Sequence, residues 1–215
     1  MTERELQYIP PLGWHWLTPF YDWLAKPFGA ALRRELLRQV AIQPGQQVLD
    51  LGCGTGIMAI ALKQSVPGAA VAGLDADEQA LAIAQGEAER VGAEIQWDRG
   101  LAYNLPYPDN SLDVVMSSFM IHHLTTAHKA RTFREVRRVL RPDGSLFILD
   151  FGPPFSPLTR TQAAVMKHLE QTADNYSGRI LPMFAEAGFA SARGAGHGTT
   201  LFGPIIIYVA HKSGG

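Results

Sequence analysis

Short apolar runs alternate with longer stretches in which apolar residues recur every third or fourth position. The pattern begins at Gln47–Leu51 (QVLDL), which reads as a buried strand, and Ile57–Gln64 then suits a helix ended by Pro67-Gly68. Ala69–Leu74 is the next apolar run. Glu78–Val91, rich in Ala, Glu and Gln, predicts a helix closed by Gly92. Glu94–Trp97 predicts a third strand, and Leu112–Ser118 a fourth after the turn chemistry of Pro106–Asn110. Thr126–Leu140 places Phe133, Val136, Val139 and Leu140 on one helical face and arginines opposite, and Pro142-Asp143-Gly144 then turns into a fifth strand, Ser145–Phe151. Strands alternating with helices predict an α/β fold, a mostly parallel sheet covered by helices on both faces. Beyond Phe151 the pattern changes. Thr159–Ala173 and Arg179–Ala187 read as helices, and the apolar runs Phe189–Ala192 and Pro204–Ala210, separated by a Gly/Thr-rich loop, predict a closing hairpin.

Composition narrows the class. The chain of 215 residues is 47% hydrophobic and 18% charged, a globular balance sufficient for one core. The formal net charge of -1 argues against a nucleic-acid partner bound by bulk positive charge. The single cysteine, Cys53, excludes an internal disulfide framework and a multi-thiolate metal site within one chain, and fits a reducing cytoplasm. No metal is expected. No segment reads as a transmembrane span or signal peptide; a peripheral membrane contact is compatible with the sequence. Of the 20 aromatic residues, seven fall between Tyr8 and Phe28, so residues 1–43 read as an aromatic-rich helical cap preceding a main domain, 44–215.

The most informative stretch is Val48–Gly56 (VLDLGCGTG), a strand entering a glycine turn before a helix. Glycines there let a ligand approach the backbone, and the helix offers its N-terminal N–H groups, so an adenosine-bearing cofactor is expected. Asp75 ends the second apolar run, where a carboxylate can accept from both ribose hydroxyls, while Asp77 competes for the cap of the next helix. A dinucleotide fingerprint needs a third glycine where Ile57 stands, so a short NAD-dependent oxidoreductase fits poorly.

The ordered strings VLDLGCGTG, GLDAD (73–77), LPYPDNSLDVVMSS (105–118), HHL (122–124) and RVLRPDGSL (138–146) resemble the class I S-adenosylmethionine-dependent methyltransferases, in particular the small-molecule branch that includes the ubiquinone/menaquinone biosynthesis enzymes. The resemblance covers about Gln46 to Phe151. It implies a Rossmann-like three-layer sandwich, with a seven-stranded sheet ending in an antiparallel hairpin. It also implies S-adenosyl-L-methionine as cofactor, S-adenosyl-L-homocysteine as product and a small, apolar or aromatic acceptor.

Carried over residue by residue, it sets Gly52, Cys53 and Gly54 against the methionine part and Asp50 toward its amino group. Asp75 takes the ribose and Ala76 packs on adenine. Ser117, Ser118 and Phe119 line the sulfonium end. The pattern departs from the family at Leu101, where an Asp commonly accepts from adenine N6. Apolar packing with the Ala102 N–H is the preferred substitute, a swing of Asp98 the other. Leu101 also motivates a second reading, a nucleotide-binding module without methyl transfer. His122 and His123 are read as structural ahead of catalytic, with His123 the candidate to meet substrate. Trp14, Trp16, Tyr21 and Trp23 are expected to wall the acceptor pocket, Tyr21 also reaching the cofactor.

Overall fold

The structure, a computed structural model, describes residues 33–166 and 171–213; Trp14, Trp16, Tyr21 and Trp23 lie outside the described residues. Helix α1 occupies 33–40. It is followed by β1 (Gln47–Leu51), α2 (Ile57–Ser65), β2 (Ala70–Asp75), α3 (Glu78–Val91) and β3 (Gln96–Arg99). Then come β4 (Leu112–Ser118), a single 3-10 turn (Ile121–His123), α4 (Thr126–Val139) and β5 (Leu140–Phe151). The chain closes with α5 (Pro157–Met166), α6 (Ala173–Tyr176), α7 (Ile180–Glu186), β6 (Ser191–Thr200) and β7 (Gly203–His211).

The helices start and stop where side chains satisfy their ends. Asp77 caps α3 by accepting from the amides of Gln79 and Ala80, and Gly92 closes it in the left-handed region at φ 67°. Thr125 caps α4, accepting from the His128 amide. On α4, Phe133, Val136 and Val139 are completely buried, the apolar stripe expected from their spacing, each contributing about 1.5–3 kcal/mol relative to exposure.

The seven strands run in the order β3-β2-β1-β4-β5-β7-β6. β1 pairs parallel with both β2 and β4, whereas β7 is antiparallel to β5 and β6. One core lies against α1 and α2 (Leu36, Val40, Met58, Leu62), and another against α4 and α7 (Phe133, Val136, Phe184), which makes the expected three layers. The chain steps outward from β1 to β3 and returns to β4 beside β1. A crevice therefore opens at the carboxyl ends of β1 and β4, where open α/β sheets place ligands. Among the described residues, no helix is long and apolar enough to cross a membrane.

Four local expectations are corrected. The third strand lies at Gln96–Arg99, because its register is set by pairing with β2 from Ala72 onward. The Gly/Thr-rich segment after Ala192 is strand β6, paired with β7 through Thr200 and bulged between Gly194 and Gly196. Its partner supplies the apolar side chains, and a Cβ at Gly194 would stand 3.0 Å from Ile206. The helix expected at Thr159–Ala173 begins at Pro157 and is described as far as Met166. Pro142-Asp143-Gly144 is an excursion within β5: Leu112 pairs with Leu140 and Val114 with Ser145, so the intervening residues bulge out.

Candidate functional site at the carboxyl ends of β1, β2 and β4

β1 runs into a turn whose backbone is pinned to the end of β2. The amides of Gly52 and Cys53 both donate to the Leu74 carbonyl, at 2.8 and 3.1 Å. Gly52, Gly54 and Gly56 all have positive φ, a conformation that disfavours any side chain. The three differ in what surrounds them. A Cβ at Gly52 would lie 2.2 Å from Met120 Cγ, and one at Gly56 2.7 Å from Trp97 and 2.9 Å from Ala84, while nothing lies within 4 Å at Gly54. Gly52 and Gly56 are thus required by packing within the protein. Gly54 presents open backbone to a ligand.

Asp75 sits against this loop. Its Oδ2 accepts from the Gly54 amide at 2.8 Å and its Oδ1 from the Asp77 amide at 2.9 Å. Each carboxylate oxygen keeps a further acceptor position, enough for a vicinal diol. Because Asp77 caps α3, Asp75 is released from that task. Burial pushes the Asp75 carboxyl above its ordinary range, opposed by the amides that donate to it.

Asp50 lies deeper, 1% exposed, with Oδ2 accepting from the Ala59 amide at 3.0 Å. It satisfies an amide of the first turn of α2, whose own N-cap, Gly56, has no side chain to do so. Burial raises its pKa to about 7, and the charge of Asp75 adds to the rise. A cationic group above this pair would hold both carboxyls ionised. Cys53, beside them, is buried and its thiol is pushed far up by burial and by Asp50, so it is not a nucleophile.

The third wall is the loop after β3. Leu101 and Ala102 are half-buried, and Leu101 bridges to Asn104. The loop is tied to α4: Glu135 accepts from the Leu105 amide at 2.9 Å, and Arg138 donates to the carbonyls of Leu105 and Tyr107 at 3.0 and 2.9 Å. Tyr103 stacks on His128 with ring centroids 3.9 Å apart. Asp98 accepts from the Tyr107 hydroxyl at 2.7 Å and from the Gln96 side-chain Nε2 at 2.9 Å. That engagement favours the packing alternative over a swing of Asp98. The donor set fits an adenosine whose base lies among apolar and backbone groups, with Asp75 as the polar anchor.

At the end of β4 one sequence expectation needs correction. Ser117 is completely buried and its hydroxyl donates to the Leu51 carbonyl at 2.8 Å, joining β4 to β1, so its side chain does not line the crevice. Side chains alternate along a strand, and the half-buried Ser118 faces the other way. His122, also completely buried, is tied to Asp150: its Nδ1 lies 2.7 Å from Asp150 Oδ1, and its amide donates to Oδ2 at 3.2 Å. His123 is the half-buried member, its ring 4.0 Å from that of His122. Burial, with the neighbouring His122 and Lys129, holds its pKa well below the ordinary imidazole value, so it is neutral near pH 7. Phe119, half-buried, takes φ 55°, a strained value for a residue with a side chain, and packs edge-on to Phe151.

The sequence reading missed Asp150, Lys129 and Met120. Asp150 was signalled by a lone carboxylate in the apolar run Leu146–Phe151. Lys129, fully buried, donates to the Gln171 carbonyl at 2.5 Å and lies 3.4 Å from Asp174, a partnership between distant segments that left no local trace. Among the described residues, no group of three or more His, Cys, Asp or Glu could hold a metal ion.

A glycine turn feeding a helix, a ribose-type carboxylate on the next strand, and a parallel sheet closed by a reversed hairpin define a class I methyltransferase-type nucleotide site. Sequence comparison agrees: residues 48–144 match the family described as a methyltransferase domain, and the chain is similar to S-adenosylmethionine-dependent methyltransferases of the ubiquinone/menaquinone biosynthesis type. A demethylmenaquinone methyltransferase of Thermus thermophilus is 39% identical over 142 residues, 64% of each chain. A 2-phytyl-1,4-naphtoquinone methyltransferase of Synechococcus elongatus is 32% identical over 67% of this chain and 64% of its own. The match therefore spans just under two thirds of the length of these relatives. In fold, a SAM-dependent methyltransferase from Aquifex aeolicus superposes over 90% of this chain and 98% of its own, with TM-score 0.68 at 19% identity.

Proposed function

We propose that the protein transfers the methyl group of S-adenosylmethionine to a small apolar or aromatic acceptor, releasing S-adenosylhomocysteine. The observation that carries this reading is the Gly54–Asp75 contact, an open glycine backbone fixed to a carboxylate that retains acceptor capacity for ribose hydroxyls. In the reaction an electron pair on an O, N, C or S atom of the acceptor attacks the methyl carbon in line, the carbon–sulfur bond breaks with its electrons passing to sulfur, and the acceptor gives up a proton. His123, neutral and at the edge of the crevice, is the group proposed to take that proton. Asp150 and His122 hold it in place, and alignment and exclusion of water supply most of the rate.

The relatives' names, demethylmenaquinone and 2-phytyl-1,4-naphtoquinone methyltransferases, favour a naphthoquinone-type ring as acceptor, in its reduced, nucleophilic form. Trp14, Trp16, Tyr21 and Trp23 are proposed to wall that pocket. The test is calorimetric titration of the wild type and Asp75→Ala with S-adenosylmethionine and S-adenosylhomocysteine, followed by a screen of reduced naphthoquinones and other phenols for S-adenosylhomocysteine release. Binding that survives Asp75→Ala unchanged overturns the site. Binding without turnover on any acceptor favours the module reading.

A further inference from the structure

We propose that Met120 sets the size of the sulfonium substituent the donor site accepts, its side chain forming the wall against which the transferable alkyl group is held. The proposal rests on the donor-site reading and adds a residue to it.

Three observations carry it. Met120 lies along Gly52: its Cβ, Cγ and Cε stand 2.7, 2.2 and 3.4 Å from where a Cβ at position 52 would be. The whole length of the side chain therefore covers the first glycine of the turn, and only glycine leaves it room. Its backbone is fixed from both sides. Phe119, before it, is held at φ 55° with its amide donating to the Leu149 carbonyl at 2.8 Å. After it, Ile121 is 1% exposed, and the His123 amide donates back to the Met120 carbonyl at 3.0 Å. Such strain in a residue with a side chain persists only where the surroundings over-determine it. Finally, Met120 comes two residues after the end of β4, packs on the glycine turn at Gly52 and accepts from the His123 amide, so in the donor-site reading it borders the space where donor and acceptor meet.

Sulfonium donors that differ only in the alkyl group on sulfur are told apart by the room beside that group. A methylene that must be fitted against a well-held wall changes affinity by about ten- to two-hundredfold. Met120→Ala removes Cγ, Sδ and Cε from the wall, whereas Met120→Leu keeps nearly its volume.

The experiment measures the affinities of S-adenosylmethionine, S-adenosylethionine and S-adenosylhomocysteine by calorimetry for the wild type, Met120→Ala and Met120→Leu. The wild type is expected to prefer the methyl over the ethyl compound by about tenfold or more. Met120→Ala is expected to shrink that preference by about tenfold, chiefly by tighter ethyl binding, while Met120→Leu preserves it. If thermal melting shows Met120→Ala unfolded, Met120→Val makes the same comparison with a smaller expected change. The same preference in the wild type and in the folded smaller variant overturns the proposal. Failure of the donor-site reading looks different, since the wild type would then bind none of the three compounds.

Discussion

Gly54 and Asp75 stand 21 positions apart in sequence and are joined by one hydrogen bond, the glycine amide donating to the carboxylate at 2.8 Å. That bond couples the shape of the glycine turn to the residue proposed to hold the ribose. Asp75→Ala should therefore act twice, removing the anchor and loosening the turn. A charge-assisted hydrogen bond contributes about 1.5–3 kcal/mol, so S-adenosylhomocysteine affinity should fall roughly ten- to a hundredfold by calorimetry. Asp75→Asn retains one oxygen acceptor and should lose less.

This turn was legible in the sequence because its determinants are local: a run of apolar residues, three glycines at fixed spacing, and a carboxylate at the end of the next strand. The same locality exposed the apolar stripe of α4. What was hidden depends on partners far along the chain. Ser117 looks like a crevice residue until the Leu51 carbonyl is seen to take its hydroxyl. The glycine-rich β6 reads as loop because its apolar neighbours belong to β7. Met120 carries no motif at all, and its importance follows from the absence of a side chain at Gly52.

Glycines that differ in surroundings should differ in mutational sign. Gly86 lies exposed inside α3, with nothing within 4 Å of a Cβ placed there, so Gly86→Ala is expected to stabilise by about 0.5–1 kcal/mol through helix propensity. Gly52→Ala meets both a φ of 71° and the Met120 side chain. Overpacking alone typically costs about 1–3 kcal/mol, and the backbone term adds to it. Urea denaturation of the two variants beside the wild type checks both signs.

Asp150 is the keystone of the acceptor side. Its carboxylate, completely buried, accepts from the His122 ring and amide and from the Phe151 amide at 2.7, 3.2 and 2.7 Å. Asp150→Ala strips three buried donors of their acceptor at once. A loss of about 3 kcal/mol or more is expected in equilibrium unfolding, since each unsatisfied buried donor costs about 1–3 kcal/mol. Asp150→Asn, which keeps one oxygen acceptor, should recover part of that loss.

Two groups beside the proposed chemistry differ in how they respond to pH. Asp50 is raised from 3.8 to about 7 in the folded protein. Between those values the folded state holds a proton that the unfolded state has released, so this group makes stability fall as pH rises through that window and level off above about 7. Asp50→Asn cannot ionise, and its melting temperature should gain on the wild type steadily across the same window. Donor binding adds a second signature. An ammonium or sulfonium above Asp50 favours the carboxylate, so titration with S-adenosylmethionine below about pH 7 should release a proton, read from the buffer dependence of the binding heat. Asp50→Asn should abolish that release. His123 moves the other way: burial holds its pKa well below the ordinary value, so the imidazole is neutral near pH 7 and contributes no acid limb near neutrality. His123→Gln should accordingly lower turnover about a hundredfold around neutral pH, while leaving the proton release on donor binding intact.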